Sequence, residues 1–182
     1  MSLAARLLSL WLRRVEKPAM ARAKGPEPLR KRLALNARLL FHAPRGTQMQ
    51  WQVLTRDQSC VDALEVVPHK LNSDAVLLYF HGGGFVFGSP RTHAALVAQL
   101  AHRLSARAVL PRYHLAPEAP FPAAFDDART AWEGLLQSGV PPHRIIIGGD
   151  SAGGALALSL LGQLVADQAA MPGAVFLFFS AD

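Results

Sequence analysis

Two glycine-rich stretches hold residue types that could do chemistry. Gly149-Asp150-Ser151-Ala152-Gly153 has the Gly-x-Ser-x-Gly spacing of a nucleophile elbow. A sharp strand-to-helix turn of this kind leaves no room for side chains two residues either side of the serine, which is why glycine stands at both places. The apolar run Ile145 to Ile147 leads into it and Ala152 opens a helical pattern, so Ser151 is expected at the end of a strand, where the start of a helix favours negative charge. Taken alone, the same five residues also fit an ordinary glycine-rich turn. The second stretch, His81-Gly82-Gly83-Gly84, follows the apolar run Ala75 to Phe80. Its backbone N–H groups are unobstructed, which makes Gly82 and Gly83, with Ala152 from the elbow, candidate donors to an oxyanion. A phosphate-cradling loop is the alternative, but the Lys-Ser/Thr pair that such a loop requires is missing. His81 is expected to orient the loop through a hydrogen bond rather than act as a base, and Asp150 and Glu118 are further loop-orienting candidates.

The elements that must position these residues follow from periodicity. Strand-like alternation marks Gln48 to Thr55 and Val61 to Val67. After them, short apolar runs alternate with helical segments: strand Ala75 to Phe80, helix Thr92 to Ser105, strand Ala108 to Arg112, helix Ala123 to Gln137, strand Ile145 to Ile147, helix Ala152 to Ala166 and strand Ala174 to Phe179. Strands without polar alternation are buried on both faces, and each crossover is long enough for a helix, so the fold class is α/β with a mostly parallel sheet and helices on both faces. Upstream, Leu3 to Val15 reads as an amphipathic helix and Glu27 to Phe41 as a second, basic one after the break at Gly25-Pro26. Residues 1–45 form a basic helical segment and 46–182 the core.

Composition narrows the partners. Of 182 residues, 51% are apolar, enough for a globular core, and no apolar run approaches the roughly 18 to 20 residues of a membrane span. Residues 1–45 hold 11 Lys and Arg against 2 acids, a net +9, and residues 46–182 hold 8 against 11, a net −3. The body therefore lacks the basic stripe of a nucleic-acid binder. A membrane-surface anchor remains a sharper alternative for the basic helix, to set against simple packing on the domain. No positive charge precedes the first apolar run, which argues against a signal peptide and for a cytoplasmic location. Cys60 is alone and is expected to be a buried apolar filler; neither a metal cluster nor a cofactor motif is present. Asp126 and Asp127 are read as offsetting a helix dipole, and Phe85, Phe87 and Trp132 as core or pocket wall.

His81-Gly82-Gly83-Gly84-Phe85, Tyr113-His114-Leu115-Ala116-Pro117-Glu118 with Phe121-Pro122-Ala123-Ala124, and Gly149-Asp150-Ser151-Ala152-Gly153-Gly154 occur in one order. Together they resemble the hormone-sensitive-lipase family of α/β-hydrolase serine esterases. The resemblance implies cofactor-free hydrolysis of short-to-medium acyl esters through an acyl-serine at Ser151, with residues 1–45 in a helical cap. It also implies that the triad acid and histidine follow the nucleophile. The seven histidines, His42, His69, His81, His93, His102, His114 and His143, all precede Ser151 and read as surface or loop residues, and Asp182 matches no triad position. The chain is thus expected to be the amino-terminal portion of an esterase, incomplete at the carboxyl end, nearly inactive alone and prone to self-association along the Ala174 to Phe179 strand. The alternative is a non-catalytic small-ligand-binding protein on the same fold, of the gibberellin-receptor kind.

Overall fold

A computed structural model of the chain describes residues 25–179 together with Arg6, residues 9–16, Pro18 and Arg22. Of the helix expected over Leu3 to Val15, Arg6 and residues 9–11 are α-helical and Leu12–Glu16 form a π-helical turn; the remaining positions lie outside the described residues. Helix α1, Pro26–Leu40, begins with proline in its first turn, where a missing N–H leaves no bond unmade. Strands β1, Gln48–Arg56, and β2, Ser59–Val67, pair antiparallel in register from Gln48↔Val67 to Arg56↔Ser59. Asp57 takes the left-handed conformation (φ 52°) at the tight turn between them.

Four units follow. Strand β3, Val76–Phe80, leads to helix α2, Pro90–Leu104; β4, Arg107–Pro111, leads to α3, Ala123–Gln137; β5, Ile145–Asp150, leads to α4, Ala152–Ala166; and β6, Ala174–Phe178, comes last. The sheet order is β1-β2-β4-β3-β5-β6, with β4, β3, β5 and β6 parallel and β1 and β2 antiparallel. Helix α2 starts with a capping box in which Ser89 and Thr92 satisfy each other's backbone N–H groups.

The central strand explains the two-layer core. Every residue of β3 is buried. Val76, Leu78 and Phe80 pack with Trp132, Leu135, Leu156 and Leu160 of α3 and α4, while Leu77 and Tyr79 pack with Val97, Ala98 and Ala101 of α2. This alternation sends successive side chains to opposite faces, so a continuous apolar run serves two cores at once. Against the sequence-based expectation, β5 runs three residues further, to Asp150, because Tyr79 and Phe80 continue the ladder opposite Gly148 and Gly149. Low strand propensity at two glycines is overridden by pairing on both sides. Strand β6 is only partly buried because it lies at the sheet edge. Cys60 is exposed rather than buried: Leu54 and Val61, the pair next to it in the hairpin, face α3, so the Thr55–Cys60 pair points to the other face of the sheet. Among the described residues no helix is long and apolar enough to cross a membrane.

Trp132 is 2% exposed and joins α3 to the β3 face. Its replacement by alanine should cost about 3–5 kcal/mol of stability. A denaturant midpoint that barely moves would contradict this placement.

Candidate active site

Sheet order brings the two glycine-rich stretches together. β3 and β5 are parallel neighbours with Phe80 opposite Gly149, so the residues just beyond their carboxyl ends, His81 onward and Ser151 onward, emerge side by side. Ser151 has φ 50° and ψ −118°, a left-handed φ that a non-glycine residue adopts only under constraint. The constraint is visible. Ser151 N–H donates to Phe178 O of β6 (2.9 Å), and its carbonyl accepts from Ala155 N–H (3.0 Å) at the start of α4. Gly153 lies so close to the end of β3 that a Cβ there would collide with the Phe80 carbonyl oxygen. Ser151 is exposed and Ala152 buried, and among the described residues neither the Ser151 hydroxyl nor the Ala152 N–H has a hydrogen-bond partner.

The adjacent loop corrects one expectation. Gly82 N–H donates to Asp150 Oδ1 (3.0 Å), so it is already committed and unavailable to an oxyanion. The N–H groups of Gly83 and Gly84 have no partner among the described residues. Gly83 carries φ 128°, its carbonyl accepts from both Val86 and Phe87 N–H (3.0 Å each), and a Cβ there would strike the Phe87 carbonyl oxygen. Asp150 Oδ1 also accepts from the Tyr79 hydroxyl (2.9 Å), and Oδ2 lies 3.6 Å from His93 Nε2. Burial alone would raise the Asp150 carboxyl, but His93, the Tyr79 hydroxyl and Gly82 N–H together hold it below the usual range. The same carboxylate and, first, burial push the Tyr79 hydroxyl far up.

His81 lies in the loop directly after β3, where a loop residue was expected, and is buried there, 1% exposed. Its Nδ1 lies 2.9 Å from Gly82 O and 3.2 Å from the Tyr113 hydroxyl, which itself donates to His81 O (2.6 Å). Facing a carbonyl, Nδ1 must carry the proton. The ring stacks on Tyr113 (centroids 4.3 Å, planes 16° apart) and on His93 (5.3 Å, 28°). Burial lowers its pKa to about 4, with Gly82 O partly opposing. His81 is therefore neutral at pH 7 and geometrically a brace for the loop.

Glu118 also makes loop contacts, through a partner that the sequence did not single out. It receives two bonds from Arg30 of α1 (2.8 Å each), and that pairing holds its carboxyl below the usual range. Asp127 does more than offset the α3 dipole. It is buried and accepts from His114 N–H (2.6 Å) and pairs with His114 Nδ1 (2.7 Å), fixing the segment that leads to Glu118. Sequence reasoning missed Arg30, Tyr79, His93 and the role of Asp127; only Tyr113, inside a quoted motif, carried a local signal. Trp132 and Phe85 join the core as expected, Phe85 edge-on to Tyr113. Among the described residues no three His, Cys, Asp or Glu side chains are grouped so as to hold a metal ion.

A family model of the alpha/beta hydrolase fold matches residues 77–181. The chain belongs to that family. It is 44% identical over 88 residues to an acetyl-hydrolase of Streptomyces hygroscopicus, covering 48% of this chain and 29% of that protein. Over 133 residues it is 39% identical to Esterase LipI of Mycobacterium tuberculosis, covering 71% and 37%. A hormone-sensitive lipase from a metagenome library superposes with a TM-score of 0.82 at 32% identity, over 94% of this chain and 54% of that one. An esterase of the bacterial hormone-sensitive lipase family gives 0.75 at 33% identity, over 85% and 50%. This alpha/beta hydrolase chain thus matches about a third of the length of these curated relatives and about half of the solved structures. The family resemblance carried by the three motifs, and the α/β class with its mostly parallel sheet, are borne out.

Buried, neutral His81 makes the stability of this hydrolase fold pH-dependent. Its folded pKa of about 4 lies below the ordinary 6.5, so the unfolded chain binds more protons between those values. Stability is complete above pH 6.5 and falls toward pH 4, by about 1.4 kcal/mol per pH unit at most from this group. Asp150, depressed in the folded state, adds a loss at still lower pH. Unfolding midpoints measured between pH 4 and 8 check this; His81→Gln should flatten the slope between pH 6.5 and 4.

Proposed function

We propose that this chain is the nucleophile-bearing part of a serine carboxylesterase acting on short-to-medium acyl esters. The observation that carries the proposal is an exposed serine, held at a strained left-handed φ, beside three backbone N–H groups that have no partner among the described residues. Ser151 Oγ attacks the ester carbonyl and forms a tetrahedral oxyanion; collapse expels the alcohol and leaves an acyl-serine, which water hydrolyses. Ala152 and Gly83 N–H receive the oxyanion, and Gly84 takes the place first given to Gly82. His81, Asp150 and Glu118 position the loop rather than touch substrate. The names of the relatives, acetyl-hydrolase and ethyl acetate hydrolase among them, support a small acyl group.

The proton of Ser151 needs a base, and among the described residues no histidine bonds to the hydroxyl. We place the histidine and its carboxylate in polypeptide that follows Asp182, the order that the family resemblance implies. Residues 1–45 belong to a helical cap, for which the contacts of α1 with the loop are the support. The setting is cytoplasmic, in keeping with a single exposed cysteine. No nucleic acid or membrane partner is part of the proposal.

A p-nitrophenyl ester panel on the full-length polypeptide should show turnover that Ser151→Ala abolishes; undiminished turnover by that variant would sink the assignment. The 182-residue chain alone should retain only about 10³ to 10⁴-fold enhancement over water, the residue left when triad members are removed. Turnover by it at an intact enzyme's rate would show that the base lies within these residues.

The same proposal has a physical corollary. Exposed Val175, Phe178 and Phe179 at the β6 edge, with no lysine or proline within the strand, invite strand pairing. The isolated chain should therefore elute as oligomers at micromolar concentration, and Phe178→Lys should shift it toward monomer. A monomer without that change would mean that the edge is protected.

A further inference from the structure

We propose that Arg30 is a positioning residue of the active site, a side chain through which the basic helix α1 holds the oxyanion loop in shape. This deepens the esterase reading above and rests on it. Arg30 Nε donates to Val86 O (2.8 Å), Nη2 donates to Ala116 O (2.9 Å), and Nη1 and Nη2 both donate to the Glu118 carboxylate (2.8 Å each). One guanidinium thus ties α1 to two segments that lie 56 to 88 residues further along the chain.

What it grips is the turn that aims the free N–H groups. Val86 closes that turn, its N–H donating to Gly83 O (3.0 Å), while Phe85 O accepts from Ala116 N–H (2.8 Å). The loop from Gly82 to Gly84 has no side chains with which to lock itself, and glycine loses more freedom on ordering than any other residue. Its shape must come from outside. Asp150 fixes the first N–H, Gly82, and the Val86 carbonyl is the far anchor. Glu118 takes the Nη1–Nη2 edge of the guanidinium, sharing Nη2 with the Ala116 carbonyl, and keeps the planar fork facing both carbonyls. A lysine supplies the charge but not the fork, so it cannot satisfy two carbonyls and a carboxylate in fixed directions.

The proposal separates positioning from general support. In the 182-residue chain, Arg30→Lys should leave the fold intact. Amide exchange should accelerate about tenfold or more in residues 82–88 and 115–119, while residues 94–101 of α2 stay as slow as before. Glu118→Gln should give a smaller change in the same segments, and Lys31→Met, on the outward face beside Glu27, should give none. Unchanged loop exchange, or uniform acceleration that includes α2, would overturn the proposal. In the full-length polypeptide with p-nitrophenyl acetate, Arg30→Lys should lower kcat about 10- to 100-fold with KM within about threefold, as expected for misaimed oxyanion donors. A raised KM with unchanged kcat would also overturn it. If wild type and Ser151→Ala turn over equally, the esterase reading fails, and the exchange pattern decides the hold of Arg30 by itself.

Discussion

The half-buried Asp150 carboxylate joins the two stretches that the sheet has already made neighbours. It ends β5, and it receives the hydroxyl of Tyr79 from the adjacent strand and the N–H of Gly82 from the loop beyond that strand. A carboxylate removed from water without donors would take up a proton. Here its donors keep it ionised, and each donor is fixed in turn by the charge it serves. Tyr79 belongs to the α2 layer of the core, so the polar contact at the mouth of the site is anchored in apolar packing one residue away. The position of the glycine loop relative to Ser151 is therefore a property of the β3–β5 register, not of the loop.

Behind the loop stands a column of three rings, Tyr113, His81 and His93. Burial keeps His81 neutral, and a neutral ring can donate from Nδ1 to the Gly82 carbonyl without bringing a second charge beside Asp150. Protonating it would place a cation among apolar side chains next to His93. His81 therefore braces the loop only while it is uncharged, and a histidine that sequence position makes tempting as a base is chemically spent on holding the backbone.

Architecture was largely legible because β3 to β6 and their helices have clear apolar periods: α3 and α4 match the expected spans, and the other elements differ by a residue or two at their ends. The exception, β5, was cut short because Gly148-Gly149 resemble a turn in one dimension, whereas ladders on both sides make them strand. Ser151 and the glycine loop were legible because a tight turn leaves a mark in local composition. Arg30, Tyr79 and His93 were not, since each acts across the fold on a partner tens of residues away, and no spacing rule links them. Gly82 was misjudged for the same reason: its N–H is committed by Asp150, 68 residues on. Cys60 was misplaced because burial tendency by residue type ignores which face of the sheet a strand residue takes.

Committing Gly82 has an electrostatic consequence for the proposed chemistry. A carboxylate one residue before the nucleophile would repel a developing oxyanion. The arrangement limits this by direction. Asp150 Oδ1 is taken by Tyr79 and Gly82, and Oδ2 faces His93, so the donors that satisfy the carboxylate are distinct from those left open at Gly83, Gly84 and Ala152. Gly82 then serves as the divider between two sets of backbone and side-chain dipoles, one neutralising a permanent charge and the other unpaired. An oxyanion hole that shared its first donor with Asp150 would have to break that bond at the moment of reaction; one that begins at Gly83 has nothing to reorganise, which is the condition under which fixed dipoles stabilise a transition state most.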